Sequence, residues 1–146
     1  MKWIFIKNKV GNNKLKYATL LLIALMWGFT LFHFNDLPEQ IPIHYNAKGI
    51  PDGFDTRIHI WGLPLIATLL FLLLAGLQKR TGIQQIELQL LQWMQLLIQG
   101  TFTYIQLQTF FVAVNKSNGL GSWFLPVVVI SFLAPIFWVI KKQQQS

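Results

Sequence analysis

The chain contains no cysteine, which excludes a disulfide framework, a thiol nucleophile and a thiolate metal site. It is also poor in charge. Charged residues make up 12% of its 146 positions, about half the share usual in soluble domains. The acids are Asp36, Glu39, Asp52, Asp55 and Glu87, and the only arginines are Arg57 and Arg80. The basic residues flank apolar runs and form no stripe with interleaved aromatics, so a net charge of +7 does not argue for nucleic acid as a partner. In place of charge the chain has hydrophobic residues, 53% of the total. They are gathered into runs long enough for a bilayer core about 30 Å thick, which takes about 20 helical residues to cross.

Four such runs are present. The first, Tyr17 to Phe34, follows a basic segment (residues 1–16) with Lys2, Lys7, Lys9, Lys14 and Lys16, in which Gly11-Asn12-Asn13 is expected to break any helix. A basic start and an apolar run outline a signal peptide. This run is too long for one, however, and ends at Phe32-His33-Phe34-Asn35 without a small-residue cleavage site, so an uncleaved span is expected. The second run, Ile58 to Leu77, has Pro64 near its start, where a missing N–H does least harm. The fourth, Ser122 to Ile140, carries Trp123 and Trp138 at its ends, where aromatic belts belong, and Pro126 and Pro135 should bend it unless neighbours satisfy the freed carbonyls.

The third run, Leu88 to Val114, is uncharged but rich in amides. At about 100° per residue, Gln85, Gln89, Gln92, Gln95, Gln99, Thr103 and Gln106 share one helix face. Such a helix either spans with its amides turned to its neighbours or lies in the interface. Charge placement favours spanning. With four spans, residues 1–16, the 78–87 loop and the carboxyl end share a side that holds 9 of the 12 bases, and the other side holds four of the five acids. Lys and Arg collect in cytoplasmic loops, and an interfacial helix normally carries them on its polar face, where this one has amides. The expected fold is therefore all-α: four transmembrane helices in a cell membrane, both termini cytoplasmic. It divides into a basic segment 1–16, a two-span unit 17–77 and a second two-span unit 78–146.

The loop 35–57 between the first two spans is expected to be outside and ordered. Pro38 and Pro42 exclude helix, and Ile41, Ile43 and Tyr45 alternate as in a short strand. Asn46-Ala47-Lys48-Gly49 reads as a type I turn, and Pro51-Asp52-Gly53 as a second turn with Gly53 supplying a positive φ. The loop's string Leu37-Pro38-x-x-Ile41-Pro42-x-His44-x-Asn46-x-x-Gly49-x-x-Asp52-Gly53, with Arg57 following, resembles the signature of a bacterial membrane domain of unknown function. That domain is found at the amino terminus of SdpI-type immunity and signalling proteins. The likeness covers about Leu25 to Leu72. It implies a bacterial polytopic membrane protein, and with it immunity to, or sensing of, a membrane-active peptide. SdpI continues into a longer multi-span region, to which the Gln-rich run does not correspond.

The residues themselves point to no enzyme. No nucleophile stands beside a base, no glycine-rich phosphate loop is present (Gly119-Leu120-Gly121 reads as a short turn), and no ionisable side chain lies deep in a run. His33, Asp36, His44, Asp52, Asp55 and His59 invite a metal, but their spacings match no metal motif. Turn and cap roles suit them better: Asn46 and Asp52 bonding nearby backbone N–H groups, and Arg57 pairing with Asp52 or Asp55. No cofactor or metal is expected. Two places remain for function. One is the loop set Pro38, Pro42, His44, Asn46, Gly49, Asp52, Gly53 and Arg57. The other is the amide face of Gln92, Gln95, Gln99, Thr103 and Gln106, which reads first as helix–helix packing and otherwise as a polar path in a small transport or channel subunit. The partners expected are the lipid bilayer and either a peptide toxin or another membrane protein. A structural subunit of a membrane complex is a further alternative.

Overall fold

The computed structural model describes residues 12–80 and 82–144. Most of the basic 1–16 segment, with Lys2, Lys7 and Lys9, lies outside them.

Helix α1 (Asn13–His33) starts four residues before the apolar run, because Asn12 caps it: its side chain accepts the Lys14 N–H at 3.0 Å. The Asn pair expected to break a helix thus begins one. A 3-10 turn (Phe34–Asp36) closes α1 and leads into two antiparallel strands, β1 (Gln40–Tyr45) and β2 (Pro51–Thr56). A second 3-10 segment, Arg57–Trp61, opens into α2 (Gly62–Gln78), and α3 (Gln85–Ala113) and α4 (Phe124–Gln144) follow. The protein is mostly helical, and the loop adds a hairpin to the expected all-α fold.

Among the described residues, three stretches are long and apolar enough to cross a membrane: Asn13–Asp36, Arg57–Gln78 and Phe124–Lys142. They point to a membrane protein. Helix α3, with its amides, is not among them, yet it is the centre of the packing: α1, α2, α4 and β1 all lie against it.

The helix directions follow from the pairs they make. Along α3 the amides of Gln95, Gln99 and Gln106 reach the carbonyls of Phe71, Ala67 and Ile60, so α2 runs antiparallel to α3. Gln92 meets Asn12 and Gln106 meets Thr30, so α1 runs parallel to it. Helix α4 begins beside Tyr104, whose ring stacks on Phe124 at 5.2 Å, and runs back along α3. One end of the bundle therefore gathers Lys14, Lys16, Lys79, Arg80, Lys141 and Lys142, and the hairpin sits at the other. Under the hairpin, Leu37, Ile41, Ile60 and Phe110 form a buried apolar cluster with Phe29, Phe34 and Trp61 packed around it.

Candidate functional site

The hairpin owes its shape to Asn46. Its side-chain oxygen accepts the N–H groups of Lys48 (2.9 Å) and Ile50 (3.1 Å), while its carbonyl accepts the Gly49 N–H at 2.8 Å. This closes the expected turn at 46–49, with Gly49 at φ 74°, where a side chain would be strained.

Gly49 is also a contact point. Its carbonyl accepts the Leu120 N–H at 2.7 Å, and a Cβ placed on it would stand 2.7 Å from the Gly121 oxygen. A Cβ on Gly119 would strike the Gly49 oxygen. Bare backbone meets bare backbone here, so the α3–α4 connection clasps the hairpin tip. Tyr104 steadies the clasp by donating to the Leu120 carbonyl at 2.9 Å.

Several expectations for this loop are corrected. Residues 51–53 form no second turn but belong to β2, and Gly53 is not in the left-handed region. Gly53 is small for another reason. It pairs with His44, whose Cβ would lie 3.0 Å from a Cβ at 53. The strict alternation of β1 is broken by a register shift between Pro42 and His44, so Ile41 and Pro42 are both buried and Ile43 is exposed. Arg57 pairs with neither Asp52 nor Asp55. Its guanidinium donates to the Leu37 carbonyl at 3.3 Å and lies over the Phe34 ring, 5.2 Å from its centre, tying the end of the hairpin to the end of α1. Pro38 is exposed beside the buried Leu37.

Asp52 is engaged by His44 Nδ1 and not by backbone. The same pattern recurs. His33 meets Asp36 at 2.9 Å and His59 meets Asp55 at 3.8 Å, so all three histidines of the chain face its three aspartates, all on the hairpin side. These are pairs and not a cluster: among the described residues no three His, Asp or Glu groups converge as a metal site would require.

Beneath β1 is a cavity of about 260 Å³, lined by Ile41, Pro42, Tyr45, Leu63, Ile105 and Thr109, with His59 also on its wall. The Tyr45 and Thr109 hydroxyls bond at 3.1 Å. Burial pushes the Tyr45 phenol above its ordinary range, and the bond to Thr109 partly offsets this. A raised phenol favours folding below the unfolded value near 10 and loses that advantage as pH rises through the folded value. Tyr45→Phe is therefore expected to cost about 1 kcal/mol at neutral pH through the lost hydrogen bond. It should also reduce the fall in stability above about pH 10, read from thermal unfolding in detergent at the two pH values.

The amide face of α3 is buried. Gln92, Gln95, Gln99 and Gln106 are each at most 6% exposed, and Thr103 is half-buried. Gln95 donates to Phe71 O at 3.0 Å and accepts from Gln78 at 2.7 Å; Gln99 donates to Ala67 O at 2.8 Å. Gln106 donates to the Thr30 hydroxyl at 2.7 Å and to Ile60 O at 3.2 Å. Ile60 is four residues before Pro64, which has no N–H to offer that carbonyl, so Gln106 brings a donor where proline withholds one. Thr103 bonds back to the Gln99 carbonyl at 2.7 Å, and Thr30 to Met26 at 2.8 Å. The Oε1 atoms of Gln99 and Gln106 have no hydrogen-bond partner among the described residues.

Thr30, Tyr104 and Thr109 were not among the expected site residues, and Gly119-Leu120-Gly121 was expected only as a short turn. Thr109 continues the amide stripe three residues past Gln106, and a Gly-x-Gly pair is the usual trace of a close backbone approach.

Comparison with known proteins places the loop but not the whole chain. Residues 21–68 match the family described as "Domain of unknown function (DUF1648)". A stretch of 47 residues is 40% identical to an "Uncharacterized protein" of Archaeoglobus fulgidus, covering 32% of this chain and 26% of that relative. The chain thus aligns with about a quarter of the relative's length. No solved structure matches. The matched region takes in α1 from its third turn, the hairpin and the start of α2, and so includes every residue of the loop set.

Proposed function

We propose that the chain is an integral membrane protein with four spans, α3 being the third, and that its hairpin is an outward-facing recognition element for a membrane-active peptide. The family match covers the hairpin and the adjoining parts of its two flanking helices, and the immunity and signalling role is carried over from the resemblance to SdpI-type proteins.

The observation that carries the recognition reading is the hairpin itself. A surface that binds a peptide without a large ordering cost is both fixed and exposed. The tip is clasped by 119–121, while Ile43, Ile50 and Phe54 are each more than half exposed and the His44–Asp52 pair stands in the open. The cavity beneath β1 is mostly apolar, with one hydroxyl pair and His59 on its wall, a suitable receptacle for a single bulky side chain of a bound peptide. Four spans are supported by the central place of α3. At about 1.5 Å per residue its 29 residues reach about 43 Å, enough to accompany α1, α2 and α4 across a bilayer. The basic end of the bundle would then be cytoplasmic and the acidic hairpin end outside.

Expression of the chain is expected to raise a bacterial host's tolerance to a membrane-active peptide, with Asp52→Ala abolishing the gain while the protein remains inserted. Unchanged tolerance across a broad peptide panel would remove the immunity reading. The transport alternative makes the opposite demand on α3. It needs Gln95 and Gln99 to line a path, but in one chain their donors are engaged by α2. Gln95→Leu with Gln99→Leu is expected to leave any peptide tolerance intact, and a loss of solute flux in that variant would favour transport.

A further inference from the structure

A cavity lies at the opposite end of the bundle from the hairpin, where α2 turns into α3. It is open, holds about 430 Å³, and is walled by Leu77, Ile83, Leu90 and Leu91, with Arg80 and Glu87 at its charged edge. Among the described residues neither side chain forms an ion pair, with each other or with any other group. Glu87 is held in place: one carboxylate oxygen accepts the Gln84 N–H at 2.8 Å, completing a capping box at the start of α3. Its other oxygen keeps its acceptor capacity. A guanidinium and a carboxylate thus line one cavity without a salt bridge between them, together with leucine and isoleucine side chains of α2, α3 and the turn that joins them.

We propose that this cavity is a binding site for a zwitterionic phospholipid of the phosphatidylethanolamine type. The phosphate diester accepts hydrogen bonds from Arg80, whose planar fork suits phosphate oxygens. The primary ammonium donates to the free oxygen of Glu87, and the first part of an acyl chain lies along Leu77, Leu90 and Leu91. The carboxylate sets the headgroup choice. A phosphatidylglycerol headgroup brings the phosphate but no cation for Glu87, and phosphatidylcholine brings a cation with no N–H to donate. The inference needs only that this end of α2 and α3 meets a bilayer. It does not rest on peptide recognition at the hairpin, so either can fail without the other.

The test is lipid binding to the purified full-length chain by native mass spectrometry from detergent, using phosphatidylethanolamine, phosphatidylglycerol and phosphatidylcholine with identical acyl chains, and free phosphoethanolamine. The phosphatidylethanolamine lipid is expected to bind about tenfold tighter than the other two, the factor that one hydrogen bond to a charged group supplies. Free phosphoethanolamine should bind far more weakly than the lipid. Arg80→Gln should weaken all three lipids about equally, since each carries the phosphate, and leave their order. Glu87→Gln keeps the cap, since glutamine also serves at that position, and should bring phosphatidylglycerol level with phosphatidylethanolamine. Equal binding of the three lipids by the unaltered chain would overturn the proposal, as would a preference that survives Glu87→Gln, an affinity for phosphatidylethanolamine unchanged by Arg80→Gln, or free phosphoethanolamine matching the lipid. The ranking on the unaltered chain decides the matter even if a variant fails to fold.

Discussion

Gly49→Ala is expected to release the hairpin tip from the α3–α4 connection and to lower stability by about 3 kcal/mol. Two costs add. An L-residue held at φ 74° is strained by about 1–2 kcal/mol. The new methyl would also stand 2.7 Å from the Gly121 oxygen and 2.8 Å from its nitrogen. These are backbone atoms that cannot rotate away, so the tip must withdraw and the Gly49–Leu120 hydrogen bond is lost with it. Thermal unfolding in detergent measures the stability. Protease sensitivity at 115–123 measures the release, because that segment is held on the hairpin side by this contact and by Tyr104. Gly28→Ala is the matched control: nothing lies within 4 Å of a Cβ there, and alanine favours helix by about 1 kcal/mol over glycine. A Gly49→Ala protein as stable as the parent would mean the clasp does not hold the hairpin.

The second large effect is expected at Gln99. Gln99→Glu keeps the size of the side chain but replaces the amide that donates to the Ala67 carbonyl with a carboxylate that repels it. Gln99 is 0% exposed, so the charge cannot reach water, and the loss should be about 3 kcal/mol or more. Protonation restores a donor, so the defect should ease as pH falls. Gln99→Leu should cost far less, about 0.6–1.7 kcal/mol for the lost bond, less whatever is recovered by removing an oxygen that has no partner. The contrast separates charge from packing. Folded yield and unfolding midpoint in detergent, followed against pH, report both.

The helices were largely legible in the sequence because each apolar helix is built around a run without charge, and hydrophobic length is a local property. The amide stripe of α3 was legible too: period and burial agree from Gln92 to Gln106. What the amides bond was not, since the carbonyls of Ala67 and Phe71 are nonlocal partners whose register with α3 only the packed helices set. The hairpin shows the same division. The 46–49 turn is local chemistry of one asparagine and one glycine and could be read directly. The pairing of His44 with Asp52 and the burial of Pro42 depend on a register shift in β1 that no alternation rule encodes. Arg57 was assigned to the nearest acids by charge, whereas a carbonyl and an aromatic face at the end of α1 take it. The contact of Gly49 with Gly121 joins positions far apart in sequence, and only the presence of glycine at both hinted at it.

The central claim is that α3, amides included, crosses the bilayer with the three apolar helices. Because the chain has no cysteine, single variants Lys79→Cys and Lys116→Cys each carry one reporter, placed just before and just after α3. A membrane-impermeant maleimide applied to intact cells should label the cysteine at 116 and spare the one at 79 until the membrane is opened. Labelling of both positions from the same side would place α3 along the interface and contradict the four-span account.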